Sequence, residues 1–152
     1  LYGLTGPEVE TRVDELLELW DLTPWKDQLV ESYSHGMRQK LIISSALIHR
    51  PRVLVVDEPM VGLDPRSAWL LKDVLRTFAE GGGTALVSTH TLELAESLCD
   101  RLAVIDKGRV VASGSIDDLR REASSETAGL EEIFLKITRG ATDSEIARVV
   151  GD

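Results

Sequence analysis

Residues 53 to 59 read Val53-Leu54-Val55-Val56-Asp57-Glu58-Pro59, and two residues later the chain continues Gly62-Leu63-Asp64-Pro65. Four β-favouring apolar residues ending in two adjacent carboxylates predict a buried strand that carries acids to the carboxyl edge of a sheet. That edge is where open α/β sheets bind ligands. Two like charges side by side are costly to bury unless a cation or a proton-accepting role uses them. Strand side chains alternate faces, so the two carboxylates cannot do the same job. One can reach a magnesium ion while the other orients or deprotonates a water over a γ-phosphate, an arrangement that points to nucleotide hydrolysis. The competing reading of Asp57-Glu58 is a strand-end pair that caps the next helix or salt-bridges a neighbour.

Elements on both sides alternate in type. Val9, Val13, Leu16, Leu17 and Trp20 recur at helical spacing behind Thr5-Gly6-Pro7-Glu8, which has the spacing of a capping box with proline at the first helical position. Thr23-Pro24-Trp25 breaks that helix, and a second is expected from the Ser32 to Gly36 region to His49, ended by Arg50-Pro51. A third carries Trp69, Leu70, Val74, Leu75 and Phe78 on one side and stops at Gly81-Gly82-Gly83. Strands are expected at Thr84 to Ser88, Arg101 to Asp106 and Arg109 to Ala112, the last two joined by a Lys107-Gly108 hairpin turn. Thr89-His90-Thr91 opens a helix through Cys99. From Ser115 onward the chain reads as mostly helical, with Leu130 to Leu135 its best amphipathic piece. The alternation predicts a largely parallel α/β sheet with helices outside. The tryptophans Trp20, Trp25 and Trp69 are expected as core or interdomain filler.

Three further groups can carry chemistry. His90 ends the Thr84 to Ser88 strand region; if the strands are parallel it arrives at the same edge as Asp57 and Glu58, to bond a γ-phosphate oxygen or position Glu58. Its alternative is a strand-end histidine satisfied by backbone. Ser34-His35-Gly36 opens a helix, where a serine cap, free amides and the positive dipole end form an anion site, or only an ordinary cap. Asp64 is a helix N-cap by default. His35 and His49 read as surface or helix-end residues, and nothing in the pattern indicates a metal cluster.

Composition narrows the class. Hydrophobic content of 43% and charged content of 28% are those of a globular domain. The net charge of −9 argues against nucleic acid as a partner, because no basic surplus exists to neutralise phosphates. A single cysteine, Cys99, fits a reducing compartment and a core-filling role on a helix. No run approaches the ~18 apolar residues of a membrane span, and the first residues show no signal peptide. The only methionines are Met37 and Met60, which suggests a processed or truncated product.

In series these pieces resemble the ATP-binding subunit of ABC transporters. Tyr33-Ser34-His35-Gly36-Met37-Arg38-Gln39 looks like the family's signature loop, Val53 to Pro59 like its Walker B strand, Gly62-Leu63-Asp64 like its D-loop, and Ser88-Thr89-His90 like its switch-histidine loop. Asp100-Arg101 and Gly108 to Val111 continue the pattern, and Leu130 to Ile137 is similar to exporters of the ABC-2 type. His35 stands where the signature usually has its first glycine, and Met37 where it has glutamine.

The resemblance implies a fold and roles. The fold is α/β: a partial P-loop NTPase (RecA-like), mostly parallel sheet, with a helical signature subdomain over 1–50, the carboxyl-terminal part of the ATPase core over 51–114 and a helical tail over 115–152. Asp57 would hold magnesium through water, Glu58 would act as base or water-positioner, and His90 would sense the γ-phosphate. Ser34 and Gly36, with His35 beside them, would bind the γ-phosphate of ATP held by the opposite subunit, and Asp64 would signal across that interface. The implied ligands are ATP and Mg2+; the implied partners are a second nucleotide-binding subunit, head to tail, and a transmembrane permease that holds the protein on the inner face of the cell membrane. Rival expectations are a soluble ABC-type ATPase acting on ribosomes or DNA, and a non-catalytic partner domain.

No G-x-x-x-x-G-K-[ST] phosphate loop occurs in residues 1–152, and neither Gly3 to Gly6 nor Gly81 to Gly83 supplies its lysine. The family's phosphate loop, adenine-stacking aromatic and glutamine loop all precede the helical region at the start of this chain. The chain is therefore expected to be the carboxyl-terminal part of a longer subunit, to fold marginally by itself, and neither to bind ATP tightly nor to turn it over.

Overall fold

A computed structural model describes residues 6–123 and 129–138, which fall into two compact units dividing between Thr89 and His90. The expected cap of the first helix at Thr5, and the tail residues 124–128 and 139–152, lie outside the described residues.

In the first unit, α1 (Gly6–Leu19) buries Leu16 and Leu17. Two short 3-10 turns lead from it to α2 (His35–Leu47), which buries Ile43, Ser44 and Leu47. Trp20, Leu22 and Tyr33 are buried with them, and the Tyr33 hydroxyl donates to the Trp25 carbonyl at 2.8 Å. Next come β1 (Val53–Asp57), α3 (Pro65–Glu80) and β2 (Thr84–Ser88). β1 and β2 pair in parallel, with Val53 opposite Thr84 and Asp57 opposite Ser88. The β-α-β connection supplies the long crossover that parallel pairing demands.

This register sets the two faces. Leu54 is buried and Val56, Ala85 and Val87 are half-buried, whereas Val53, Val55 and Leu86 are 61%, 68% and 63% exposed. Among the described residues, the strand expected to be buried is thus covered on one side only. α3 departs from the reading of its apolar stripe at one position: Leu75 is buried and Leu70, Val74 and Phe78 are half-buried, but Trp69 is 64% exposed, and Ser67 and Leu71 join Leu75 in facing the core, four residues apart. Of the three tryptophans only Trp20 is core filler, since Trp25 is exposed too.

In the second unit, α4 (Leu92–Leu98) precedes an antiparallel hairpin of β3 (Leu102–Asp106) and β4 (Arg109–Gly114). Lys107 and Gly108 both take positive φ at its turn, 48° and 76°, as the tight two-residue connection requires. α5 (Ile116–Glu122) starts with a full capping box, in which the Ser115 hydroxyl accepts from the Asp118 amide while the Asp118 carboxylate accepts from the Ser115 amide. The Ser115 and Arg121 bonds hold the Asp118 carboxyl below its ordinary range. α6 (Leu130–Thr138) completes a core of Ala95, Val104, Ala112, Leu119, Leu130 and Ile133. Cys99 lies just past the end of α4, half-buried, and burial pushes its thiol up.

Candidate functional site

Parallel pairing decides which side chains meet at the carboxyl edge of β1 and β2. With Asp57 opposite Ser88, the Ser88 hydroxyl donates to Asp57 Oδ1. Asp57 is exposed, and Oδ2 makes no hydrogen bond among the described residues. One residue further, the Thr89 hydroxyl donates to Glu58 Oε2 at 3.3 Å, and the Glu58 amide donates to the Ser88 carbonyl at 3.0 Å. Both carboxylates are thus held by hydroxyls from the next strand.

Glu58 takes φ +43°, in the left-handed region. A residue with a Cβ pays about 1–2 kcal/mol there, and such outliers concentrate at functional sites. The turn swings the chain away from β1, so the second carboxylate leaves the strand's alternation. Pro59, fully buried, follows, and its carbonyl accepts from Gln39 Nε2 at 3.2 Å. That bond ties α2 to the end of β1.

A second cluster forms where α2 begins. Ser34 caps the helix, its hydroxyl accepting from the Met37 amide at 3.3 Å. The amides of His35 and Gly36 have no hydrogen-bond partner among the described residues. Two open donors at the positive end of a 13-residue helix suit an anion. Gly36 is a glycine here for a reason the sequence did not suggest: a Cβ at that position would lie 2.7 Å from the Gly62 carbonyl oxygen. Gly62 in turn has φ +79°, and a Cβ on it would collide with the His35 ring. The starts of α2 and of the loop before α3 therefore interlock.

Asp64 joins this cluster. It caps α3, accepting from the Ser67 amide at 3.0 Å and the Ser67 hydroxyl at 2.6 Å, and Lys40 Nζ lies 3.8 Å away. The Ser67 bonds, aided by Lys40, lower its pKa to about 2. Of the residues singled out from sequence, Asp57 and Glu58 thus stand in one group and Ser34, His35, Gly36 and Asp64 in another. His90 is the exposed first residue of the second unit, two residues beyond Ser88. Sequence reasoning missed Ser88 and Thr89 as holders of the carboxylates, together with Gln39 and Lys40. The one usable signal was two hydroxyls at the end of a strand that parallel pairing sets beside Asp57. Among the described residues no group of three or more His, Cys, Asp or Glu is placed to hold a metal, and no helix is long and apolar enough to cross a membrane.

Comparison with known proteins agrees with this geometry. The family model described as ABC transporter matches residues 5–61. The chain is 42% identical over 126 residues to a daunorubicin resistance ATP-binding protein, DrrA3, of Streptomyces coeruleorubidus, covering 83% of this chain and 40% of that one. It is 41% identical over 118 residues to the Nod factor export ATP-binding protein I of Cupriavidus metallidurans, covering 78% and 39%. A solved ATP-binding subunit of an ABC transporter superposes with a TM-score of 0.85 at 35% identity, over 90% of this chain and 57% of that one. The chain spans about two fifths of the length of these two curated relatives. The hydroxyl-held acid pair, the interlocked helix start and these likenesses agree: the chain, an α/β part of the P-loop NTPase fold, belongs to the ABC transporter ATP-binding family.

Proposed function

We propose that this chain supplies the signature-loop, Walker B and switch-histidine portion of an ATP-hydrolysing subunit that powers export through a separate membrane permease. The observation that carries the reading is the parallel register, which sets Asp57 and Glu58 at one sheet edge with Ser88 and Thr89 bonded to them. Relatives named for daunorubicin resistance and for Nod factor export support the exporter class.

The donor set fits a magnesium ion shared with a nucleotide. Asp57 offers a hard carboxylate oxygen, Oδ2, clear of other bonds, and magnesium commonly takes one or two carboxylates and completes its shell with water and phosphate. When bound, the ion neutralises charge on the phosphates. Glu58 accepts a proton from the attacking water or fixes its orientation, with Thr89 steadying Oε2. Ser34 and the open amides of His35 and Gly36 bind phosphate oxygens of ATP on an opposing subunit, Asp64 reports across that interface, and His90 senses the γ-phosphate. Residues 1–50 form the helical signature subdomain, 51–114 the core portion and 115–152 the tail. The protein works in the cytoplasm, docked on its permease at the inner face of the membrane.

The test is ATP turnover by the protein expressed from its whole reading frame with its permease. Glu58→Gln should lower kcat by about a hundred-fold or more, and Asp57→Asn should weaken the magnesium dependence. Unchanged turnover in Glu58→Gln ends this assignment. A second reading is a non-catalytic partner domain that completes another subunit's site. Its mark would be an absent or damaged phosphate loop throughout the reading frame. On either reading residues 1–152 alone should show no turnover that depends on Glu58.

A further inference from the structure

At the opposite end of β1 and β2 from the carboxylates lies a cavity of about 520 Å³, walled by Arg12 of α1, Arg50 and Arg52 on either side of Pro51, and Thr77, Phe78 and Gly83 around the end of α3. Five strand residues at ~3.3 Å each separate it from Asp57 by roughly 15 Å. Three arginines from separate positions line it and no acid does, although the whole chain carries −9. Arg12 is only partly satisfied: one amino nitrogen pairs with Glu15 at 3.0 Å, but Nε is buried with no hydrogen-bond partner. Neither Arg50 nor Arg52 has a side-chain partner among the described residues.

Local geometry holds the cavity open. Arg50 takes φ +48° at the C-terminal end of α2, where glycine or asparagine would sit at lower cost, and its amide donates to the Leu47 carbonyl at 3.1 Å. The Gly83 side of the wall has no room for a side chain, because a Cβ there would lie 2.6 Å from two atoms of the Phe78 ring. Phe78 adds an apolar side chain to the lining.

We propose that this cavity binds a small multivalent oxyanion, a metabolite bearing two or more phosphate or carboxylate groups, at a site separate from the nucleotide chemistry. Guanidinium forks match both groups in bidentate fashion, and the volume lies in the range of small-ligand pockets. No residue is shared with the Asp57–Glu58 edge or with the start of α2, so the proposal stands or falls apart from the ATPase reading.

The test is titration of pyrophosphate and, separately, citrate into the protein stripped of divalent metal and of chelator by gel filtration, with nucleotide absent, followed by calorimetry. Saturable binding of either probe is expected, pyrophosphate alone indicating a phosphorylated ligand and citrate alone a carboxylated one. Arg50→Gln and Arg52→Gln, both at exposed positions, should each weaken it on the order of ten-fold with unchanged circular dichroism, and Ser34→Ala should leave it intact. No saturable binding, or binding insensitive to Arg50 and Arg52 and lost in Ser34→Ala, overturns the proposal.

Discussion

Glu58 and Asp64 show two ways in which single residues are set for function at a cost in local freedom. Glu58 holds a positive φ that a side chain resists. Glu58→Gly should therefore raise stability by about 1 kcal/mol even as it removes the proposed base, whereas Glu58→Gln should leave the melting temperature where it is. Equal melting temperatures for the glycine variant and the parent would mean that the turn is unstrained. Asp64 presents the opposite case, a charge stabilised by its surroundings. Ser67 lowers its pKa from 3.8 to about 2. A depressed acid adds stability above its unfolded pKa and loses it as pH falls through the folded value. The contribution should thus disappear between 3.8 and about 2, and Asp64→Asn should flatten that part of the acid-unfolding curve followed by circular dichroism. An acid limb identical to the parent's would show that the cap works without its charge.

At the level of elements, the start of α2 and the loop before α3 act as one piece, because each glycine makes room for the other segment. Gly62→Ala must both hold a Cβ at φ +79° and displace His35, so a loss of about 2 kcal/mol is expected. His35→Ala in the same chain should recover part of it; additive losses in the double variant would refute the interlock. Little of this was legible in the sequence. Helices, strands and the Lys107-Gly108 turn were, because apolar spacing and turn chemistry are local. The acid pair was legible too, as was Ser34, whose capping role depends on the residues just after it. The apolar stripe of α3 was legible except at Trp69 and Ser67: Leu75 is buried and Leu70, Val74 and Phe78 are half-buried, but a small serine on the core line loses to the larger Trp69 in any reading by hydrophobicity. Nor could Ser88 and Thr89 be matched to Asp57 and Glu58, since their meeting depends on the register of two strands 31 residues apart.

On the scale of the whole chain the outer face of the β1–β2 sheet is the dominant physical fact. Parallel strands normally have both faces covered, and their side chains are correspondingly apolar throughout. Val53, Val55 and Leu86 keep that composition, yet all three lie open to solvent. The sequence of β1 is therefore suited to an environment with two covers, of which the described residues supply one. Exposed contiguous apolar surface of this kind drives association, and a strand edge beside it adds unpaired backbone groups. Residues 1–152 in isolation should self-associate with rising concentration, and Val55→Lys combined with Leu86→Lys should suppress this in analytical ultracentrifugation. Because neither side chain is buried, the two lysines should change unfolding free energy by no more than about 0.5 kcal/mol each. A double variant that associates as before would clear this face of the charge, and one that fails to fold would show that the face packs against something within the chain itself.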